Sequence, residues 1–285
     1  MAAAESSSSS SGLAAALLAA ISLAARELRR FFRQRTRIIG ALGQPILFWI
    51  LFGAGLGGSF RMPGSSASPG YANYFLPGVA VMILLFTAIF STISIIEDRR
   101  EGFLQAVLVS PIPRSSLVLG KVLGGCILAV LQALIFVGIA PLLAGLGAVA
   151  PVSLHLSFTT WLLAAAWMAL IAFVLTSLGY LIAWPMDSTQ GFHAVMSVFL
   201  MPMWLLSGAF FPAESGWLAW LLRVNPLTYG VAGLRRMLYW GGTETALPAG
   251  LPSLATCWGV TLAFAAAMFA LSWWVADKRT TGDLL

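Results

Sequence analysis

One short charged stretch decides how the fold of this chain is interpreted: EDRREG, residues 97–102, which stands between two long apolar runs. Five of its six residues are ionisable, although only 9% of the 285 residues are charged. The next residues, FLQAVL at 103–108, can form about one and a half turns of amphipathic helix before Pro111 and Pro113 stop it. The stretch therefore predicts a short charged helix that presses against something outside the apolar part of the chain.

The composition indicates an integral membrane protein. The chain is 59% hydrophobic with a mean hydropathy of +0.90, whereas a soluble domain has about a quarter charged residues. Both cysteines, Cys126 and Cys257, lie in apolar runs and predict no disulfide. Since His155 and His193 are the only histidines, we expect no metal site. The net charge of +6 is explained by membrane orientation, so we expect no nucleic acid partner.

Six apolar runs are each long enough to cross a hydrocarbon core of about 30 Å. They predict spans at residues 38–56, 76–96, 117–146, 158–184, 192–211 and 252–276. Twelve of the 16 Lys and Arg residues fall on one side of these spans, which the positive-inside rule assigns to the cytoplasm. The predicted fold is an all-α membrane protein with six transmembrane helices in residues 38–276, placed in the cytoplasmic membrane with both termini cytoplasmic.

The segments outside the spans have distinct compositions. Residues 1–12 are rich in Ser and Ala and predict a disordered tail, and residues 277–285 predict a short cytoplasmic tail. In residues 13–37, arginines project to one side of a helix and apolar residues to the other. This separation predicts an amphipathic helix on the cytoplasmic leaflet, with its arginines among the headgroups. The alternative is an ordinary basic flank of the first span.

Residues 212–250 are apolar but interrupted by proline and glycine, and each piece is too short to cross a membrane. Tryptophans and tyrosines of the interfacial type decorate the segment. A seventh span would bury three arginines, each at about 2.5–3.5 kcal/mol on insertion scales. We therefore expect two short re-entrant helices at the outer leaflet, with a turn at Asn225-Pro226 and with the arginines reaching lipid phosphates.

Two groups of side chains are candidates for a substrate path. These candidates are Thr87, Ser91, Ser94, Phe199, Met203 and Trp204. The three hydroxyl groups share one face of the second span, although hydrogen bonding between helices is the commoner role of such groups. The other three surround a proline in the fifth span and offer adaptable apolar contacts, with packing or lipid contact as the alternative.

The sequence has few groups that could power transport or catalysis. No ionisable residue lies deep in a span, because Lys121 and His193 are near cytoplasmic ends where a side chain can snorkel. Proton-driven carriers and intramembrane hydrolases need such groups. There is also no G-x-x-x-x-G-K-[ST] sequence, so we expect no ATP site on this chain. A membrane enzyme or a channel is the alternative, but an enzyme needs paired catalytic side chains and a channel needs no helix at 97–113.

Two segments resemble the membrane subunits of class-two ABC exporters. One is residues 97–113 followed by LGK at 119–121, and the other is LSGAFFP at 206–212 running on to NPLTY at 225–229 and Arg235. That family includes drug-resistance permeases of the daunorubicin type, nodulation-factor export permeases and polysaccharide exporters. The likeness covers nearly the whole chain, which looks closest to the drug type because it lacks an extended cytoplasmic or external domain.

The resemblance implies a permease that is not itself an enzyme and binds no cofactor. Two copies, as a homodimer among membrane lipids, would pair with two ATPase subunits that hold ATP and Mg. A hydrophobic or amphipathic substrate, such as a drug or a lipid-like molecule, would move outward. A polysaccharide or lipid-linked glycan is the alternative substrate, and the sequence does not identify which one is carried.

The resemblance also implies roles for particular residues. The coupling helix at 97–113, which docks on the ATPase, supplies Glu97, Asp98, Arg99, Arg100, Glu101, Gly102, Phe103, Leu104, Val107 and Leu108. The outer re-entrant segment at 212–250 contains Pro212, Asn225, Pro226, Tyr229 and Arg235.

Overall fold

A computed structural model describes most of the chain. The described residues are 2–33, 35–57, 60, 70–110, 112–152, 154, 157–212, 216–240, 247–248 and 250–278, with side chains from residue 14 onward except at 35–38. Within these residues the regular structure is entirely helical. Because the predicted C-terminal tail begins at 277, nearly all of it lies outside the described residues.

Eleven helices follow one another along the described residues. They are α1 (Ala2–Arg33), α2 (Arg35–Gly55), α3 (Tyr71–Ser91), α4 (Ile93–Arg100), α5 (Phe103–Leu108), α6 (Arg114–Gly145), α7 (Phe158–Ala183), α8 (Thr189–Trp204), α9 (Gly216–Val224), α10 (Pro226–Leu238) and α11 (Leu254–Lys278). A π-helical turn, Leu205–Ala209, continues α8.

Five helical stretches are long and apolar enough to cross a membrane. They are Tyr71–Arg100, Arg114–Gly145, Phe158–Ala183, Thr189–Ala209 and Leu254–Lys278. These stretches confirm an all-α membrane fold. The apolar part of α2, Ile39–Gly55, is shorter than these five, so the first predicted span, at 38–56, stays a prediction.

The helix pair α3 and α4 forms the centre of the bundle. Nearly every residue of α3 is buried, and the helix packs against α2, α6 and α7. Between the two helices Thr92 makes a slight break, where its hydroxyl donates a 2.6 Å hydrogen bond to the Ile89 carbonyl. Since the stretch Tyr71–Arg100 has 30 residues, its ends lie about 45 Å apart along the axis. We call them the Tyr74 end and the Asp98 end of the bundle.

Helix α1 lies along α6 because two glycines of α6 leave room for it. A Cβ atom at Gly120 would come within 2.8 Å of the Ala20 carbonyl oxygen, and one at Gly124 within 2.9 Å of Glu27 Cβ. The residues of α1 that meet these glycines are Ala20, Leu23, Ala24 and Glu27, all of them buried. The glycine pair in α6 is therefore a helix-packing site.

The apolar side chains of α1 divide between a buried face and an exposed one, and the placement of this helix on a membrane surface stays a prediction. Leu17, Ile21 and Phe32, which were expected to share the apolar face with Leu28 and Phe31, are about half exposed. They face away from α6, whose glycines contact Ala20, Leu23, Ala24 and Glu27 instead. The helix also includes residues 2–12, for which the sequence predicts disorder, so the backbone differs from that prediction.

Candidate functional site

A fully buried carboxylate, Asp98, organises the charged groups at its end of the bundle. Arg26 of α1 donates two hydrogen bonds to it, Nη1 to Oδ2 at 3.0 Å and Nη2 to Oδ1 at 2.8 Å. Arg30, one turn later, donates a third bond at 3.0 Å. The hydrogen bonds between Arg26 and Asp98 raise the pKa of the Arg26 guanidinium above its ordinary value. Asp98 therefore fastens α4 to α1.

Lys121 of α6 completes this cluster. Its side chain is 3% exposed, and its Nζ donates to Asp98, to Glu27 Oε1 at 2.5 Å and to Ser94 Oγ at 3.0 Å. All three donor positions of the ammonium group are thus satisfied. The Asp98 cluster, defined as Arg26, Glu27, Arg30, Asp98 and Lys121, joins α1, α4 and α6 through buried charge.

The Asp98 cluster corrects three sequence-based interpretations. Lys121 does not snorkel to a surface, because two carboxylates hold it inside the chain. Arg26 and Arg30 do not point to headgroups, since both bind Asp98. Asp98 itself is fully buried, so its predicted role in docking an ATPase is replaced by a role in joining helices.

The next two arginines tie α4 to the loop between α7 and α8. Arg99 donates to the Trp184 carbonyl at 2.6 Å and the Met186 carbonyl at 3.1 Å, and Arg100 donates to the Asp187 carbonyl at 2.5 and 3.1 Å. These carbonyls follow the C-terminal end of α7, where a cation is favoured by the helix dipole. Both arginines are therefore occupied within the chain.

Helix α5 is turned back against this charged layer by Gly102, whose φ of +76° is a left-handed conformation suited to glycine. The Arg26 guanidinium lies 3.6 Å from the centroid of the Phe103 ring, a cation–π contact. Leu104 is only 2% exposed. The apolar side of α5 thus packs on the chain itself.

This packing changes which residues of α5 are free to meet a partner. Leu104 is buried, and Phe103, Val107 and Leu108 pack against the core. The predicted docking surface made of these four side chains is therefore wrong for Leu104 and leaves the other three partly covered. Exposed positions lie on the opposite side, at Glu101, Ala106 and Val109, and Val109 is 72% exposed. The helical periodicity of FLQAVL identifies an apolar face but not which partner covers it.

A cavity of about 580 Å³ opens at the Asp98 end between α2, α3 and α8. We call it the α2–α8 cavity. Its walls are mostly apolar, with Phe86 and Phe90 of α3, and Gln44, Glu97 and His193 add polar groups. The imidazole of His193 lies 5.2 Å from the Phe90 ring, centroid to centroid. Its volume and lining are typical of a site for a small amphipathic molecule.

The predicted path residues separate into different environments. Thr87 and Ser91 line the α2–α8 cavity, although Thr87 also donates a 2.8 Å hydrogen bond to Gln132. Ser94 instead binds Lys121. The structure does not bring the three hydroxyls together, because the Asp98 cluster takes up the last of them.

The aromatic and sulfur-containing candidates on α8 also do not form one lining. Phe199 is 66% exposed on the outside of the helix. Met203 borders a space of about 10 Å³, too small for a substrate, and Trp204 is buried and donates to the Gly78 carbonyl at 2.8 Å.

At the Tyr74 end, the chain breaks after α8 and is pinned to α3. The π-helical turn contains Gly208 at φ +72°, and its carbonyl accepts a 2.8 Å hydrogen bond from the Tyr74 hydroxyl. Gly78 permits this close approach, because a Cβ there would lie 2.7 Å from the Ala209 carbonyl oxygen. The broken end of α8 is thus held rigidly on the central helix.

Helices α9 and α10 cover this broken end. Asn225 stands between them, where its Oδ1 accepts from Leu227 N at 3.0 Å and its amide donates to the Met203 and Leu206 carbonyls at 2.6 and 2.8 Å. The expected turn at Asn225-Pro226 is therefore present, with Pro226 as the first helical residue. Tyr229 donates to the Arg223 carbonyl at 2.8 Å, while Pro212 precedes residues that the structure does not describe. The membrane depth of these helices stays a prediction.

Arg235 and Arg236 of α10 both find partners within the chain. Arg235 is 2% exposed and donates to the Tyr74 carbonyl at 3.0 Å. Arg236 donates to the carbonyls of Leu251 and Pro252 at 3.3 and 3.0 Å. Both guanidinium groups thus have backbone carbonyl partners within the chain, although Arg235 Nε has none among the described residues. Contact of these arginines with lipid phosphates stays a prediction.

Sequence reasoning missed Glu27 as a functional residue. One signal was present, because Glu27 is the single acid among the arginines of residues 26–37 and lies at helical spacing from Ala20 and Ala24. The pairing of Glu27 with Lys121 spans 94 residues and leaves no local mark in either segment.

The sequence matches one protein family over most of its length. The family is described as ABC-2 type transporter, and the match covers residues 19–239. This range includes the Asp98 cluster and helices α5, α9 and α10.

Curated proteins of similar sequence come from algae and from a bacterium. The transport permease ycf38 of Cyanophora paradoxa is 28% identical over 216 residues, which are 73% of this chain and 71% of that protein. The ycf38 protein of Porphyra purpurea is 25% identical over 232 residues, 79% of this chain and 77% of that one. Nodulation protein J of Rhizobium leguminosarum bv. trifolii is 28% identical over 182 residues, 62% and 63% of the two chains.

Proposed function

The chain belongs to the family of ABC-2 type transporters, and from that premise we propose that it is the permease subunit of an exporter driven by a separate ATPase. In this proposal two copies of the chain pair with two ATPase subunits, which bind ATP and Mg. The permease carries a hydrophobic or amphipathic substrate, drug-like or lipid-like, outward across the cytoplasmic membrane. The chain contributes the path and the docking surface, and no catalytic group.

One observation carries the proposal: α5 is exposed on one side and fastened on the other. Its free side presents Ala106, with Glu101 just before the helix and Val109 just after it also exposed. Its other side is held by the contact between Phe103 and Arg26, an arginine that also binds the buried Asp98. A push on the free side of α5 therefore reaches α1, α4 and α6 through short contacts between side chains.

The α2–α8 cavity supports an amphipathic substrate. Its walls combine aromatic rings with a few polar groups, Gln44, Glu97 and His193. Beside it, α2 and α8 carry exposed apolar residues, among them Leu47, Leu51 and Val198. These exposed faces suit contact with a second copy of the chain or with lipid, and in the proposed homodimer they would enclose the cavity.

A polysaccharide or lipid-linked glycan is the second candidate substrate. The likeness to nodulation protein J favours it. A transport assay in vesicles containing the chain and its ATPase, with labelled drug-like and glycan substrates compared, would distinguish the two candidates.

The proposal is tested by a charge placed on the free side of α5. Val109→Asp should abolish co-purification with a co-expressed P-loop ATPase subunit that pairs with the unmodified chain, or remove the stimulation of its ATP turnover by substrate. Leu146→Asp, a change at a position of similar exposure at the far end of α6, is the matched control. If both variants retain full turnover, the docking surface lies elsewhere. ATP hydrolysis by the purified chain alone would overturn the proposed division of labour.

A further inference from the structure

A second large cavity, of about 390 Å³, lies at the Tyr74 end. It is lined by α9, α10, the π-helical turn, Pro248 and residues 250–252, and we call it the Arg235 cavity. Its polar lining includes Tyr74, Arg223, Thr228 and Arg235. The volume falls in the range of small-molecule sites.

Arg235 brings a buried positive charge to this cavity. The side chain is 2% exposed, and its guanidinium carbon lies 4.2 Å from the centroid of the Tyr74 ring. Among the described residues it forms no ion pair, and its Nε has no hydrogen-bond partner. A buried cation without a carboxylate is costly unless another anion neutralises it. The lining therefore has a charge that invites an anionic ligand.

Thr228 supplies an independent second observation. Its side chain is 8% exposed, and its hydroxyl is buried with no hydrogen-bond partner in the described part of the chain. Buried hydroxyls normally have a partner. Since Thr228 and Arg235 line the same cavity, a buried hydroxyl and a buried guanidinium Nε, both without a partner among the described residues, share one space, and Arg223 adds an exposed guanidinium.

We propose that the Arg235 cavity binds the phosphate group of an anionic amphiphile. Guanidinium groups bind phosphate oxygens with two parallel hydrogen bonds, and the threonine hydroxyl can donate a further one. The amphiphile is indicated by α9, which lines the cavity with Ala219 and Leu222 and elsewhere carries Trp217 and Trp220, 74% and 64% exposed, as apolar surface for a tail that leaves the cavity. Binding itself does not depend on the proposed function. Only the role of the bound amphiphile, as a transported or a regulatory molecule, rests on it.

Binding is measured on the full-length chain in neutral detergent, without ATP or an ATPase. Three probes are titrated: inorganic phosphate, dihexanoyl phosphatidylglycerol, and dihexanoylglycerol, which has the same tails without phosphate. A ligand that binds the folded chain raises the midpoint of thermal unfolding in proportion to the logarithm of its concentration above Kd. We expect phosphatidylglycerol to raise the midpoint and dihexanoylglycerol to leave it unchanged.

The inorganic phosphate titration distinguishes two sources of the same chemistry. A smaller effect of inorganic phosphate than of phosphatidylglycerol supports the amphiphile. An equal effect supports a phosphate site but overturns the amphiphile as its occupant. Because Glu214 and Glu244 lie outside the described residues, the titrations are repeated in the Glu214→Gln/Glu244→Gln variant, in which these carboxylates cannot compete.

Two threonines provide a matched pair of variants. Thr228→Val and Thr261→Val each remove a buried hydroxyl that has no partner, but Thr261 borders the space of about 10 Å³ and not the Arg235 cavity. Thr228→Val should raise the apparent Kd for phosphatidylglycerol roughly tenfold, as loss of a hydrogen bond to a charged group does. Thr261→Val should leave the Kd unchanged.

Arg223→Gln should also raise the Kd, and it tests the mouth of the cavity without altering the buried Arg235. The proposal is overturned if no phosphate compound shifts the midpoint in either background. It is equally overturned if Thr228→Val and Thr261→Val bind with the same Kd. Neither result bears on ATPase coupling, so failure here is separate from failure of the proposed function.

Discussion

The guanidinium carbon of Arg26 lies over the Phe103 ring, 3.6 Å from the ring centroid. The same guanidinium binds Asp98 through both terminal nitrogens. One side chain of α1 thus holds both the end of the central helix and the start of α5. The contact between Arg26 and Phe103 therefore joins two segments that are 77 positions apart in the sequence.

Removing the ring should loosen α5 without unfolding the bundle. Phe103→Leu keeps an apolar side chain but loses a cation–π contact of about 0.5–2 kcal/mol. We expect faster amide hydrogen exchange across Phe103–Leu108 and little change elsewhere. Phe32→Leu, at a position that is 53% exposed on α1, is the control. Equal exchange rates in α5 for both variants would contradict the anchoring role.

Neutralising Asp98 should be strongly destabilising. Asp98→Asn leaves Arg26 and Lys121 without their shared carboxylate, and loss of one partner from a buried ion cluster costs about 3–5 kcal/mol. Asp187→Asn is the comparison, since the Asp187 side chain is 86% exposed and its change should stay within about 0.5 kcal/mol. Equilibrium unfolding in mixed micelles measures both. If Asp98→Asn lowers the free energy of unfolding by less than about 1 kcal/mol, the ion pairs of the Asp98 cluster are not formed in the folded protein.

Two glycines of α6 should respond oppositely to alanine. Gly120→Ala puts a methyl group 2.8 Å from the Ala20 carbonyl oxygen, and such overpacking costs about 1–3 kcal/mol. At Gly138 the nearest atom would be 3.5 Å away, so Gly138→Ala should stabilise α6 by about 0.5–1 kcal/mol through helix propensity. Thermal unfolding of the two variants tests this. The same sign for both would mean that α1 does not pack closely on α6.

The predicted orientation can be measured with single cysteines in a background without the two native ones. Val224→Cys, at the last residue of α9 and 61% exposed, should react with an impermeant thiol reagent added outside cells. Glu101→Cys, whose native side chain is 60% exposed, should react only after the membrane is permeabilised. Labelling of both from outside would contradict the placement of α5 in the cytoplasm.

The sequence was a good guide wherever proline, glycine or length leaves a local mark. The turn at Asn225-Pro226 was predicted because proline removes a donor and restricts the residue before it. The stop of the short helix after Leu108 followed from the same chemistry. Five of the six predicted spans correspond to helices of spanning length, whereas the apolar part of α2 is too short to be distinguished from a partly inserted helix by length alone.

What the sequence did not reveal depends on partners distant along the chain. Lys121 looks like a lysine near a span end until Glu27 and Asp98, at 94 and 23 residues' distance, are seen around it. Arg235 looks like an interfacial arginine until the Tyr74 carbonyl, 161 residues away, is seen to accept from it. In both cases periodicity gives the face of a helix, but the rotation of that helix is set by packing.

The position of Lys121 also has a consequence for biosynthesis. Asp98 leaves the ribosome 23 residues before Lys121, an interval of roughly one to five seconds at about 5–20 residues per second. Arg26 and Arg30 are already present to accompany Asp98 during that time, but Glu27 has no ammonium partner until α6 is made. During synthesis, α1 therefore cannot complete its packing on the bundle until α6 has emerged from the ribosome. Until then α1 stays at the membrane surface, and it docks after α3 and α4 have formed.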